Sequence, residues 1–270
     1  MKPSAVESST CIPNCVDGVT LASLFAMQRA GRDYLENRRV LEKAGLNLVS
    51  EVLRGQGEFA EYEHYPRDDV FDPDTAAQYY YHAHRGTGGE HGHFHTFVRT
   101  GHLRFVPRRA GAPTTPHQPV GRKSIAHVVA VSMDAWGWPI GLFVTNRWVT
   151  DETWYSAEQV ARLLPCFEID HAWPSLPVNR ALGALLQLFR PQILTLLRER
   201  DEAIRRRGRE RPGTDVLEDR ELEVLAEIRI DVDAQVAAVD AWLKGPPRPG
   251  ESIVRRRATT GGDIGIGEHV

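Results

Sequence analysis

The sequence predicts an α+β protein: an antiparallel sheet of about four strands flanked by N-terminal and C-terminal helices. Three observations carry that expectation. Apolar residues recur at helical spacing from Leu21 to Leu53, the periodicity of an amphipathic helix. Between residues 78 and 149 the pattern changes to short runs rich in β-branched and aromatic residues, bounded by Gly, Pro or polar clusters, as strands are. Helical spacing then returns from Ser156 to Leu243.

The elements follow in order. Residues 1–17, rich in Ser, Pro and Asn, read as a loose arm. The domain proper is expected over 18–245. Gly31 and Gly45 weaken its first helical stretch and allow it to break into two or three helices. Glu63–Thr75, with Pro66, Pro73 and several Asp residues, reads as a surface loop. Strands are expected at about 78–84, 91–99, 124–133 and 140–149. Asp134-Ala-Trp-Gly-Trp-Pro139 joins the last two as a hairpin, because an Asp carboxylate bonds its own local backbone. Ala110–Gly121 is a Pro-rich loop. Ser156 and Gln159 have capping-box spacing. Pro191 marks a kink or a fresh start in a helix running from Leu185 to Leu197. Another helix is expected from Leu217 to Leu243. Residues 246–270 are expected to be a disordered tail.

Composition narrows the functions. The 270 residues can bury a sizeable core, and 41% apolar with 26% charged content is ordinary for a globular chain. A net charge of −3 argues against a nucleic-acid partner, which calls for a basic field. Arg198–Arg211 holds seven Arg but also four acidic residues, the mixture of a solvated helix end. Cys11, Cys15 and Cys166 are too few for a disulfide framework. No stretch reaches the ~18 apolar residues of a membrane span, and no basic leader precedes Val19–Met27, so the expected compartment is cytoplasmic. The sequence carries no P-loop, dinucleotide fingerprint or nucleophile elbow.

One segment concentrates chemistry. Of 11 His in the chain, five fall between His82 and His95: His82-Ala-His84-Arg-Gly-Thr-Gly-Gly-Glu-His91-Gly-His93-Phe-His95. Strand alternation puts His82 and His84 on one face of the first strand, and His91, His93 and His95 on one face of the second. Gly86–Gly89 supplies the glycines a tight hairpin turn needs. A Thr87-Gly88 loop pairs His82 with His93 and Tyr80 with His95. A Gly88-Gly89 loop pairs His84 with His93 and His82 with His95. Either register puts both sets on a single face, with opposed Cβ atoms about 4.5–5.5 Å apart. Residues i and i+4 of a strand are about 13 Å apart, so one ion takes ligands from both strands rather than three from one.

The expected metal ligands are therefore His82, His84, His91, His93 and His95, with Tyr80 and Glu90 as catalytic groups. A nitrogen-rich set suits Fe, Cu or Zn. The expectation is a metal-dependent enzyme acting on a small molecule, an oxidoreductase with a His-ligated iron or copper centre. The alternatives are a non-catalytic transition-metal-binding or sensing protein and a zinc-dependent hydrolase. Paired His-x-His strands also occur in cupin-like barrels, but the remaining cupin ligands are not at that family's spacing here. His127, expected on one face with Val129 and Val131, is a further ligand candidate from the third strand. Asn146 is a candidate for orienting substrate, and Glu168, Asp170 and His171 form a polar loop of the type that carries function. The run Gln78-Tyr-Tyr-Tyr-His-Ala-His-Arg85, followed by Glu90-His-Gly-His-Phe-His-Thr-Phe97, resembles an uncharacterised bacterial family. The resemblance covers about twenty residues and implies no established activity.

Overall fold

The computed structural model describes residues 19–85, 89–103 and 118–245. The expected arm, the expected tail, Cys11, Cys15, the centre of the glycine turn and most of the Pro-rich loop lie outside the described residues.

Helix α1 spans Leu21–Lys43 without a break, started by Thr20, whose side chain accepts from the Ser23 N–H. Gly31 does not divide it. A Cβ there would lie 2.9 Å from Cγ2 of Val236, so the glycine marks a close helix–helix approach. Gly45, at φ +69°, follows the helix end in the left-handed conformation that glycine adopts without strain. Helix α2, Leu48–Leu53, starts from a reciprocal Asn47–Ser50 cap.

Six strands then form one antiparallel sheet in sequential order: β1 Tyr65–Phe71, β2 Ala77–His82, β3 Glu90–Val98, β4 Ala126–Asp134, β5 Pro139–Thr145 and β6 Val224–Arg229. The expected four are the inner ones. The first correction is β1, which was expected to be a loop. It is an edge strand, where Pro and charge are tolerated because one side of the backbone needs no partner. The second is β6 at the opposite edge, inside the stretch expected to be helical. Only its last part is helix: α7, Val232–Lys244, capped by Asp231.

The β4–β5 hairpin closes as expected. The Asp134 carboxylate accepts the N–H groups of Trp136 and Trp138, each at 2.9 Å. After β5 come α3 (Arg147–Thr150), α4 (Ala157–Leu163), α5 (Leu176–Leu188) and α6 (Arg190–Glu210). Ser156 and Gln159 cap α4, the Ser156 N–H donating to the Gln159 side chain at 3.0 Å. Pro191 lies in the first turn of α6, so it starts a helix rather than kinking one. Asn146, a candidate for orienting substrate, caps α3 and donates to the Val216 carbonyl at 2.9 Å, a structural role. The Arg-rich run is not wholly solvated. Arg200 is buried, lies over the Trp154 ring at 4.1 Å and donates to the Tyr155 carbonyl. No helix among the described residues is long and apolar enough to cross a membrane.

The helices pack on one face of the sheet. Tyr79, Tyr81, Phe94, Val131, Leu142 and Val144 join residues of α1, α4, α5 and α6 in a single apolar core. The Tyr79 hydroxyl donates to Asn179 of α5 at 2.6 Å. Tyr80, His93, His95, Phe97, His127 and Phe143 are equally buried but lie on the other face, in ring contact with one another.

Candidate metal centre

The β2–β3 ladder pairs Tyr80 with His95 and His82 with His93, the register that corresponds to a Thr87-Gly88 loop. His82 and His93 approach through their Nε2 atoms at 2.7 Å. His95 is next along β3, its ring centroid 4.9 Å from that of His93 and 5.1 Å from that of His82. One ring nitrogen from each of His82, His93 and His95 lies within 4.8 Å of the others. Ligands held tetrahedrally at about 2.0–2.1 Å from an ion are roughly 3.3 Å apart, so with small ring rotations this group could hold one ion.

The partners of these rings decide their tautomers. The Nδ1 of His93 is 2.7 Å from Oε1 of Glu90. An ionised carboxylate only accepts, so that nitrogen carries the proton and Nε2 presents its lone pair. The Nδ1 of His95 is 3.0 Å from Nε2 of His127. Among the described residues the Nε2 of His95 is buried with no hydrogen-bond partner, a costly state for a polar atom. An imidazole held through one nitrogen with the other free is the arrangement that metal-ligating histidines show.

Burial also sets the charge state. Desolvation, then the neighbouring histidines, lowers His82 to about 2, and desolvation lowers His127 to about 3. His93 and His95 are also pushed down, burial again being the main cause. All four are neutral near pH 7, as metal ligation requires. Burial works to raise the Glu90 carboxyl, but hydrogen bonds from His93 and Ser132 outweigh it and the net shift is downward.

The remaining candidates are distributed as follows. His84 lies just beyond β2 on the same face, 4.8 Å from His82 and 5.1 Å from His93 between ring centroids, and stacks on Tyr62. The Tyr80 ring stacks on His64 at 3.5 Å and meets His82 edge-on at 5.2 Å. Burial raises its hydroxyl, so it keeps its proton at neutral pH. His91 does not share the face of His93 and His95. The β3–β4 register shifts between Glu90 and Gly92, and a bulge of this kind inserts a residue and reverses the alternation beyond it. His91 therefore bonds the Tyr81 hydroxyl at 2.6 Å and stacks with Phe59 on the other side, while Glu90 is turned toward His93. A second shift, between Thr96 and Phe97, pairs Phe97 with His127. It separates His127 from Val129 and Val131, which face the helical core, and brings its ring to His95. His64, which the sequence reading passed over, lies on the rim with its Nδ1 3.1 Å from Asp69. Glu168 and Asp170 are elsewhere, in a polar groove of about 680 Å³ between α1 and α5.

Fold and site together define an α+β protein with a buried three-histidine cluster on the sheet face opposite the main apolar core. The chain belongs to the family described as "Domain of unknown function (DUF6969)", whose model matches residues 28–230. No curated protein and no solved structure matches it.

Proposed function

We propose that the protein is a metal-dependent enzyme whose ion is held by His82, His93 and His95 and which acts on a small molecule. The observation that carries this reading is the buried, unpartnered Nε2 of His95 beside two further imidazoles. Three protein ligands leave at least one coordination position open, the mark of a catalytic rather than a structural site. Glu90 is committed to His93 and acts as a positioning residue. A nitrogen-only donor set fits iron, copper or zinc. The aromatic surround of Tyr80, Phe97 and Phe143 favours oxidative chemistry at iron or copper by keeping bulk water from reactive species, with Tyr80 as the proton donor. A second reading, a metal-binding or sensing protein without catalysis, is supported by a different observation: His93 and His95 are fully buried.

The test is metal analysis of protein prepared without chelators and reconstituted with Fe(II), Cu(II), Zn(II) or Co(II). The expected result is one ion per chain, lost in His93→Ala/His95→Ala and retained in His91→Ala. Failure to take up any of these ions, or full uptake by the double variant, would overturn the assignment. With Co(II) bound, a change in the visible spectrum on adding azide is expected for an open position. An unchanged spectrum would favour the non-catalytic reading.

A further inference from the structure

Arg85 sits three residues beyond His82, its guanidinium carbon 4.4 Å from the centroid of the Phe143 ring. That ring is in turn 5.0 Å from His93 and 6.0 Å from His95. The stack holds the guanidinium beside the cluster, yet its donors are poorly used. Nη2 reaches Glu227 at 3.3 Å, a carboxylate that is 66% exposed. Among the described residues Nη1 is buried without a hydrogen bond, Oε2 of Glu90 being 3.7 Å away.

Charge adds a second argument. Three neutral imidazoles bring no negative charge to a divalent ion. The carboxylate that touches the cluster, Glu90, is shared between His93 and Arg85. A divalent ion and a guanidinium set against Glu90 and the exposed Glu227 still leave excess positive charge in a largely desolvated place, and such charge is stabilised only by pairing. We infer that the centre takes a small molecule bearing a carboxylate, and that Arg85 Nη1 binds that group while another part of the molecule reaches the ion. This inference rests on the metal-centre reading above. A carboxylate fits better than a phosphate because Glu90 and Glu227 flank the guanidinium. They leave the Nη1 amino group without a hydrogen bond and room beside it for a single negative charge, whereas a phosphate dianion would be pressed against Glu90.

The experiment uses the full chain loaded with Co(II), titrated with acetate, malonate, succinate, glutarate and inorganic phosphate while the visible spectrum is followed. Charge-assisted hydrogen bonds are worth about tenfold to a hundredfold in affinity. At least one dicarboxylate is therefore expected to bind tenfold or more tighter than acetate. Arg85→Gln is expected to remove that advantage with acetate affinity unchanged, and Arg85→Lys to keep part of it. Equal dicarboxylate affinity in wild type and Arg85→Gln would overturn the inference and leave the metal centre standing. So would phosphate binding tighter than every carboxylate. If the chain takes up no metal, the metal reading falls and this inference with it. Should Arg85→Gln fail to fold, the gap between acetate and the dicarboxylates in wild type and Arg85→Lys decides the matter.

Discussion

Acid is expected to unfold the metal-free protein steeply, because four imidazoles are buried neutral on one sheet face. His82, His93, His95 and His127 all have their proton affinity lowered mainly by burial. In the unfolded chain each titrates near its ordinary value of about 6.5. As pH falls through that value, the unfolded state binds protons that the folded state refuses, so stability present above pH ~6.5 is lost on the acid side. If all four rings stay neutral in the fold to pH 5, each costs about 2 kcal/mol between pH 7 and pH 5. Glu152 acts in the opposite sense. Burial raises its carboxyl to about 7, so the folded state binds its proton first, which offsets about 2 kcal/mol over the same interval. The net loss is about 6 kcal/mol, comparable with the whole stability of a marginal domain at ~5–15 kcal/mol. Urea denaturation of chelator-treated protein at pH 7, 6 and 5 measures it directly. A loss below about 1 kcal/mol, or assigned resonances of His82, His93, His95 and His127 titrating near pH 6.5 in the folded protein, would refute the neutral, buried cluster.

Other outcomes follow from neighbouring contacts. A Cβ at Gly92 would lie 2.6 Å from the His82 carbonyl oxygen and closer still to the Tyr81 hydroxyl. Gly92→Ala should cost about 1–3 kcal/mol or more by overpacking and weaken metal uptake with it, as thermal melts and metal analysis will show. Glu90→Gln removes the carboxylate that fixes the His93 tautomer. Metal affinity in a competition titration with a chelator should fall about tenfold to a hundredfold while the helical circular dichroism is retained. Asp134→Ala deletes the acceptor of two turn N–H groups and should lower stability by about 1–2 kcal/mol in urea without changing metal stoichiometry.

The inner sheet was legible because its strands combine β-branched and aromatic content with clear breaks. The two edge strands were not, for different reasons. The sequence Tyr65-Pro-Arg-Asp-Asp-Val-Phe71 has the composition of a loop. It is a strand because β2 offers it a hydrogen-bonding edge and only Tyr65, Pro66 and Val70 are buried. In β6 the spacing of Leu222, Leu225, Ile228 and Val232 fits a helix, yet Val224, Ala226 and Ile228 also fit a strand of period two. The free edge of β5 decides between them by pairing Leu142 with Ile228 and Val144 with Ala226. Neither decision is local, and local pattern cannot make it.

The histidine cluster shows the same limit more sharply. Strict alternation groups His91 with His93 and His95, and groups His127 with Val129 and Val131. Two register shifts in the β3–β4 ladder reverse both assignments. The first takes His91 out to Tyr81 and turns Glu90 in to His93. The second brings His127 in to His95. The number of histidines beside the β2–β3 pair is thus kept, but their roles change. The two buried candidate ligands, His93 and His95, each gain a partner on the nitrogen turned away from the cluster. A clean ladder would leave His93 without Glu90 and His95 without His127, and both rings would be free to rotate. The bulges therefore supply what a metal site would need beyond its ligands, which is a fixed tautomer and ring orientation. Gly92, whose missing Cβ lets the chain pass the His82 carbonyl and the Tyr81 hydroxyl, is the sequence signal that came closest to marking the first of them.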